Sequence, residues 1–165
     1  MDNQVQRGST FRVLLDLPYA KEAQIETNEN THEVTTLPDR EITLLAAEDN
    51  DLNYEILREQ LRMQGIRCVR AINGKECLEI FRDSVEHEYD AILMDMQMPV
   101  MNGLEAARAI RKLNHPEVRS IPIIALTANV FDVDVQRSKA VEMNAHLVKP
   151  IDPQKLFRTL IALWK

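Results

Sequence analysis

From residue 41 onward the sequence predicts an α/β domain, a doubly wound sheet of five parallel strands with helices on both faces. Three observations predict it. Short apolar runs alternate with amphipathic segments, the order is βαβα throughout, and five such pairs fit between residues 41 and 165.

The runs read as strands occupy residues 42–46, 67–70, 91–94, 121–126 and 145–148. Between them, residues 50–64 align Tyr54, Leu57 and Leu61 on one helical face, and residues 74–85 align Cys77, Phe81 and Val85. Residues 102–113 do the same with Ala106, Ile110 and Leu113, and a weaker helical segment is expected from Val130. Asp152 stands as an N-cap before Pro153, opening a helix that carries Leu156, Leu160 and Leu163. With right-handed crossovers, the five units predict a flavodoxin-like topology of strand order 2-1-3-4-5. Such sheets bind ligands beyond the carboxyl ends of their strands. The residues there are Glu48, Asp49 and Asn50 after the first strand, Asp95 after the third, Thr127 after the fourth and Lys149 after the fifth.

Composition bounds the rest. The 165 residues, 45% hydrophobic, can supply a proper core without staples. A net charge of -6 argues against a diffuse cationic surface for nucleic acid, and the chain stops soon after its last expected helix, so no DNA-binding output module is expected. Cys68 and Cys77 fall in apolar-patterned segments and read as buried thiols of a reducing compartment, with the cytoplasm the default location. No stretch approaches the roughly 18 apolar residues that span a bilayer, and the N-terminus lacks signal-peptide order, so no direct membrane contact is expected. Residues 19–40, rich in Glu, Asn and Thr without periodicity, read as a linker. Residues 9–17 have the character of a strand that Pro18 ends.

Carboxylates from two loops converging on one pocket repel one another, and a hard divalent cation with oxygen ligands, Mg2+ first, relieves that repulsion. Asp95, emerging from the top of a central strand, can act as a nucleophile toward phosphorus. The Lys149 ammonium and the Thr127 hydroxyl suit phosphoryl oxygens. Each has a bland alternative: Glu48-Asp49 as a helix N-terminal pair, Asp95 as a cap, Thr127 as a turn residue, Lys149 as a solvated charge. Their shared position at strand ends favours the chemical reading.

Four motifs then carry a resemblance. Ala47-Glu48-Asp49-Asn50-Asp51-Leu52-Asn53, Met94-Asp95-Met96-Gln97-Met98-Pro99-Val100-Met101-Asn102-Gly103, Ala125-Leu126-Thr127-Ala128-Asn129 and Lys149-Pro150-Ile151 resemble the signature of the response-regulator receiver domain, over residues 41–165. The resemblance implies that Asp95 accepts a phosphoryl group from a histidine kinase. It implies Mg2+ held by Asp49, Asp95 and the Gln97 backbone carbonyl, with Glu48 acting through water. It implies that Thr127 moves toward the phosphoryl group while an aromatic near the last strand turns inward; the matching position is His146, either a pH-sensitive switch or an ordinary surface histidine. The Lys149-Pro150 bond is expected to be cis. A four-helix histidine phosphotransfer partner is expected around the first helix, at Asn53, Tyr54 and Leu57. Gln97 and Asn129 sit where the family sets phosphoryl lifetime. Val141-Glu142 departs from the family's Ala-Gly, so a looser loop is expected there.

Residues 8–15, Gly-Ser-Thr-Phe-Arg-Val-Leu-Leu, look like the last strands of a histidine-kinase ATPase domain. The expected organisation is therefore an ATPase remnant at 1–18, a linker at 19–40 and a receiver at 41–165, the C-terminal part of a hybrid sensor kinase, without ATP binding of its own. Three other readings compete. A haloacid-dehalogenase-type phosphatase needs a second Asp where Gln97 stands. A flavin mononucleotide module needs Gly, Ser or Thr where the acidic Glu48-Asp49 loop would repel phosphate. A pseudo-receiver would bind partners without phosphorylation.

Overall fold

The computed structural model describes residues 40–128 and 142–164. The expected ATPase remnant, the linker up to residue 39, Asn129 and the helix expected from Val130 lie outside the described residues.

The described elements are β1 (Ile42–Ala47), α1 (Asp51–Arg62), β2 (Ile66–Ala71), α2 (Gly74–Asp83), β3 (Ala91–Asp95), α3 (Gly103–Ile110), β4 (Ile123–Thr127), β5 (Ala145–Val148) and α4 (Pro153–Leu163). All four strand pairings are parallel, and the order is β2-β1-β3-β4-β5, as predicted. Every residue of β1, β3 and β4 is buried, as central strands covered on both faces must be.

The pleat divides these strands between two cores. Leu45, Ala47, Ile92, Met94, Ile123 and Ala125 face α2 and α3, where Cys77, Phe81, Ala106 and Ile110 close the layer. Leu44, Ala46, Leu93, Ile124 and Leu126 face α1 and α4, which contribute Tyr54, Leu57, Leu61, Leu156 and Leu160. Asx side chains start each described helix: Asn50, Asn73, Asn102 and Asp152 accept from backbone N–H groups of the first turn. Asn102 and Glu105 complete a reciprocal capping box.

Two expectations need correction. Val85 does not join Cys77 and Phe81, because α2 stops at Asp83 and leaves Val85 exposed. The fourth strand starts at Ile123 rather than 121, where Pro122 offers its carbonyl to the Ile92 N–H but has no N–H of its own to give.

The edge of the sheet opposite the strand ends is tied at Asp90. Its carboxylate accepts from the Thr43 N–H at 2.8 Å and pairs with Arg40 at 2.5 Å, while its carbonyl accepts from the Trp164 indole at 3.0 Å.

Candidate functional site: an acidic pocket at the strand ends

Strand register brings the pocket together. Ala47 pairs with Met94, so Glu48 falls level with Asp95; Asp95 pairs with Leu126, and Thr127 with Val148. The Lys149 N–H donates to the Thr127 carbonyl at 2.8 Å, carrying the ladder one residue past β5. The Lys149-Pro150 bond is cis, as expected.

Glu48, Asp49 and Asp95 each present a carboxylate oxygen within 4.8 Å of the others. Glu48 and Asp95 are buried and Asp49 is exposed, so the cluster opens to solvent on one side. Lys149 Nζ donates to Glu48 Oε2 at 2.5 Å and Asp95 Oδ2 at 2.6 Å. Glu48 Oε1 accepts from Asn53 Nδ2 at 3.1 Å and Asp95 Oδ1 from the Gln97 N–H at 3.0 Å, so both buried carboxylates are held at both oxygens. Thr127 is buried at the end of β4.

Burial raises the Asp95 carboxyl pKa against the lowering effect of the Lys149 hydrogen bond, the Gln97 N–H and the Lys149 charge. Burial alone would lower the Lys149 ammonium, but its bonds to Asp95 and Glu48 together with their charges outweigh that and leave it raised. Three carboxylates against one ammonium leave an excess of negative charge. An all-oxygen set with that excess fits a hard divalent cation, and Lys149 alone cannot neutralise it.

Two glycines fix the loop that follows β3. A Cβ on Gly103 would meet the Asp95 carbonyl oxygen, and one on Gly74 would lie 2.5 Å from the Met101 carbonyl oxygen, which accepts from the Gly74 N–H at 3.1 Å. The 96–103 turn thus closes directly over the end of β3 and leans on the start of α2.

The remaining expected residues fall in different places. Gln97 is exposed, and His146 is half-buried on β5 in register with Ala125. Tyr54 needs correction as a partner surface, because it is buried in the core and its hydroxyl donates to the Cys68 carbonyl at 3.2 Å; Leu57 is buried too. Asn53 is exposed but engaged with Glu48. The apolar residues that α1 does expose are Leu52 and Ile56, with Met63 at its C-cap. A groove beside them runs from Glu48 and Lys149 along Asn53, Ile56 and Leu57 to Ile151, so Leu57, though buried, still lines it.

The loop before β5 is also corrected. Glu142 takes φ 58°, the left-handed conformation that the family's glycine favours, so the turn stays tight. Arg111 holds it, donating to the Glu142 carbonyl at 2.9 Å and to Asn144 Oδ1 at 3.0 Å.

A doubly wound parallel sheet that gathers buried carboxylates, a hydroxyl and a lysine beyond its strand ends places its polar site where such folds bind ligands. The chain belongs to the response regulator receiver domain family, whose model matches residues 44–161. It is a receiver domain of two-component signalling. It is 36% identical over 119 residues to "Hybrid signal transduction histidine kinase I" of Dictyostelium discoideum, covering 71% of this chain but only 7% of that protein. It is 34% identical to the "Polar-differentiation response regulator DivK" of Brucella anthropi, covering 72% of this chain and 92% of that one. Among solved structures, the receiver domain of sensor histidine kinase PA1611 from Pseudomonas aeruginosa superposes with TM-score 0.68 at 33% identity, over 76% of this chain and 100% of that one. That structure has a magnesium ion coordinated in its active site cleft. The Saccharomyces cerevisiae receiver domain of Ssk1, solved with the histidine phosphotransfer protein Ypd1, superposes with TM-score 0.64 at 30% identity, over 73% and 86% of the two chains.

Proposed function

We infer that this domain takes a phosphoryl group from a phosphohistidine onto Asp95, changes conformation, and then relays the group or loses it to water. The observation that carries the reading is a buried Asp95 carboxylate at the top of a central strand, bonded to Lys149 within a cluster of three carboxylates. In the transfer, an Asp95 oxygen forms the new bond to phosphorus in line with the histidine nitrogen, whose bond to phosphorus breaks. Glu48, Asp49, Asp95 and the Gln97 backbone carbonyl would hold Mg2+, which supplies charge neutralisation for the phosphoryl oxygens. Lys149 and the Thr127 hydroxyl donate to those oxygens, so catalysis is chiefly positioning and electrostatics. Gln97 shapes water access and hence phosphoryl lifetime; an unchanged dephosphorylation half-time in Gln97→Ala removes that role. Movement of Thr127 is coupled to His146 on the neighbouring strand.

The phosphodonor is a histidine kinase domain, and a histidine phosphotransfer protein docks against α1 beside the pocket, where Leu52 and Ile56 are exposed. The pairing of the Ssk1 receiver with Ypd1 supports that partner class. The proposed origin is a cytoplasmic part of a hybrid kinase, with residues 1–18 an ATPase remnant, 19–40 a linker and 41–165 the receiver; likeness to the Dictyostelium hybrid kinase supports the kinase origin. Among the described residues no helix is long and apolar enough to cross a membrane.

The test is intact mass after incubation with Mg2+ and acetyl phosphate, for the wild type, Asp95→Asn and a magnesium-free control. One labile adduct that requires both the metal and Asp95 supports the reading. No adduct together with no Mg2+ binding replaces it with a pseudo-receiver.

A further inference from the structure

Arg70 lies on edge strand β2 in register with Ala46 of β1, two residues short of Glu48. Its side chain is about one-fifth exposed, at 22%, and all of its polar contacts go to the acidic turn. Nε donates to the Glu48 carbonyl at 3.1 Å and Nη2 to the Asp49 carbonyl at 3.0 Å. Nη1 pairs with the Asp51 carboxylate at 2.8 Å, and the guanidinium lies 4.9 Å from the centre of the Tyr54 ring. Tyr54 is itself anchored on β2 through the Cys68 carbonyl. The planar fork therefore grips two consecutive peptide carbonyls whose residues supply two of the three clustered carboxylates.

We propose that Arg70 is a positioning residue for the cation site, fixing the turn from which the Glu48 and Asp49 carboxylates project so that they face Asp95. The inference rests on the Mg2+-dependent reading of the pocket. Arg70 makes no bond to a clustered carboxylate: it acts on the backbone behind Glu48 and Asp49, as the outer partners of metal ligands do. Its charge alone would work the other way, since a cation near the pocket disfavours a second one. Pairing with Asp51 offsets that cost.

The two effects have opposite signs, which makes the test decisive. Mg2+ affinity is measured by calorimetric titration of the full chain without phosphodonor, for wild type, Arg70→Gln, Arg70→Lys and Asp51→Asn. Circular dichroism confirms that each variant is folded, and amide exchange at Asn50 and Asp51 is followed in the metal-free protein. Positioning predicts about tenfold weaker binding in Arg70→Gln, about 1.4 kcal/mol, with faster exchange at those amides. Arg70→Lys keeps the charge but loses the fork and is expected to weaken binding as well, whereas Asp51→Asn, which keeps both carbonyl bonds, changes it less than threefold. Affinity unchanged or tighter in a folded Arg70→Gln overturns the proposal. Absence of Mg2+ binding by the wild type overturns the underlying reading instead, so the two failures are distinguishable.

Discussion

Replacing Lys149 with methionine keeps a long unbranched side chain and removes the ammonium. Glu48 Oε2 and Asp95 Oδ2 then lose donors at 2.5 and 2.6 Å, in side chains only 2% and 10% exposed. Leaving one side of a buried ion pair uncompensated costs about 3–5 kcal/mol. The Lys149 side chain is 20% exposed, so water replaces part of the interaction, and about 2–4 kcal/mol is the expected loss in metal-free protein. For a domain of this size that corresponds to a fall in Tm of about 8–16 °C. The loss also depends on pH. The Asp95 carboxyl is already raised by burial, and Lys149 is the chief group holding it down, so the substitution raises it further. A carboxyl raised on folding contributes stability that is complete below the unfolded value, about 3.9, and is lost as pH rises through the folded value. The variant should therefore lag the wild type more at pH 7.5 than at pH 5. Added Mg2+ at about 100 times its Kd should return about 2.7 kcal/mol. The assay is urea unfolding followed by circular dichroism in EDTA at both pH values, then with Mg2+. A variant as stable as the wild type in EDTA at both pH values would refute the account of the pocket as an uncompensated acidic cluster.

Three further outcomes are expected. Gly103→Ala places a methyl group against the Asp95 carbonyl and 3.0 Å from Met94 Cγ, so unfolding should be easier by about 2–3 kcal/mol and adduct formation on Asp95 slower; equal denaturation midpoints would argue against this packing. Glu142→Gly relieves a left-handed residue of about 1–2 kcal/mol while adding chain entropy, for a net gain of about 0.5 kcal/mol, and a loss in thermal unfolding would contradict the conformation described. Burial pushes the Cys77 thiol up to about 12 and Cys68 to about 11, so at pH 8 Cys77 should resist alkylation until the protein unfolds. Because each raised thiol stabilises the fold below its unfolded pKa of about 8.5, each contributes a fall of about 1.4 kcal/mol per pH unit above that, and the slope should be shallower by that amount in Cys77→Ala.

Fold and pocket were legible in the sequence for one reason. A strand buried on both faces is mainly apolar, so an acidic residue at or just after its end marks where the chain leaves the sheet. Glu48 follows β1 in this way and Asp95 and Thr127 close their strands, whereas Lys149 follows the half-buried edge strand β5 and was placed by its motif. Tyr54 was misplaced for a related reason: the spacing that aligns it with Leu57 marks the buried face of α1, and the exposed Leu52 and Ile56 lie off it. Arg70 gave no signal, since nothing in its place within the strand run 67–70 shows which carbonyls its side chain meets. Glu142 misled because residue type favours a backbone conformation without dictating it, and Arg111, 31 residues earlier, supplies what a glycine would have made unnecessary.

The tie at Asp90 also decides what the molecule can report spectroscopically. The sequence has one tryptophan, and its indole is bonded to the residue just before β3, whereas Asp95 closes the other end of that strand. Five residues of strand put about 16 Å between the two. Indole emission therefore serves as a probe of unfolding that stays blind to a cation entering the pocket. Any emission change on phosphorylation would measure how far the event is felt along β3, with Trp164 as a natural remote sensor.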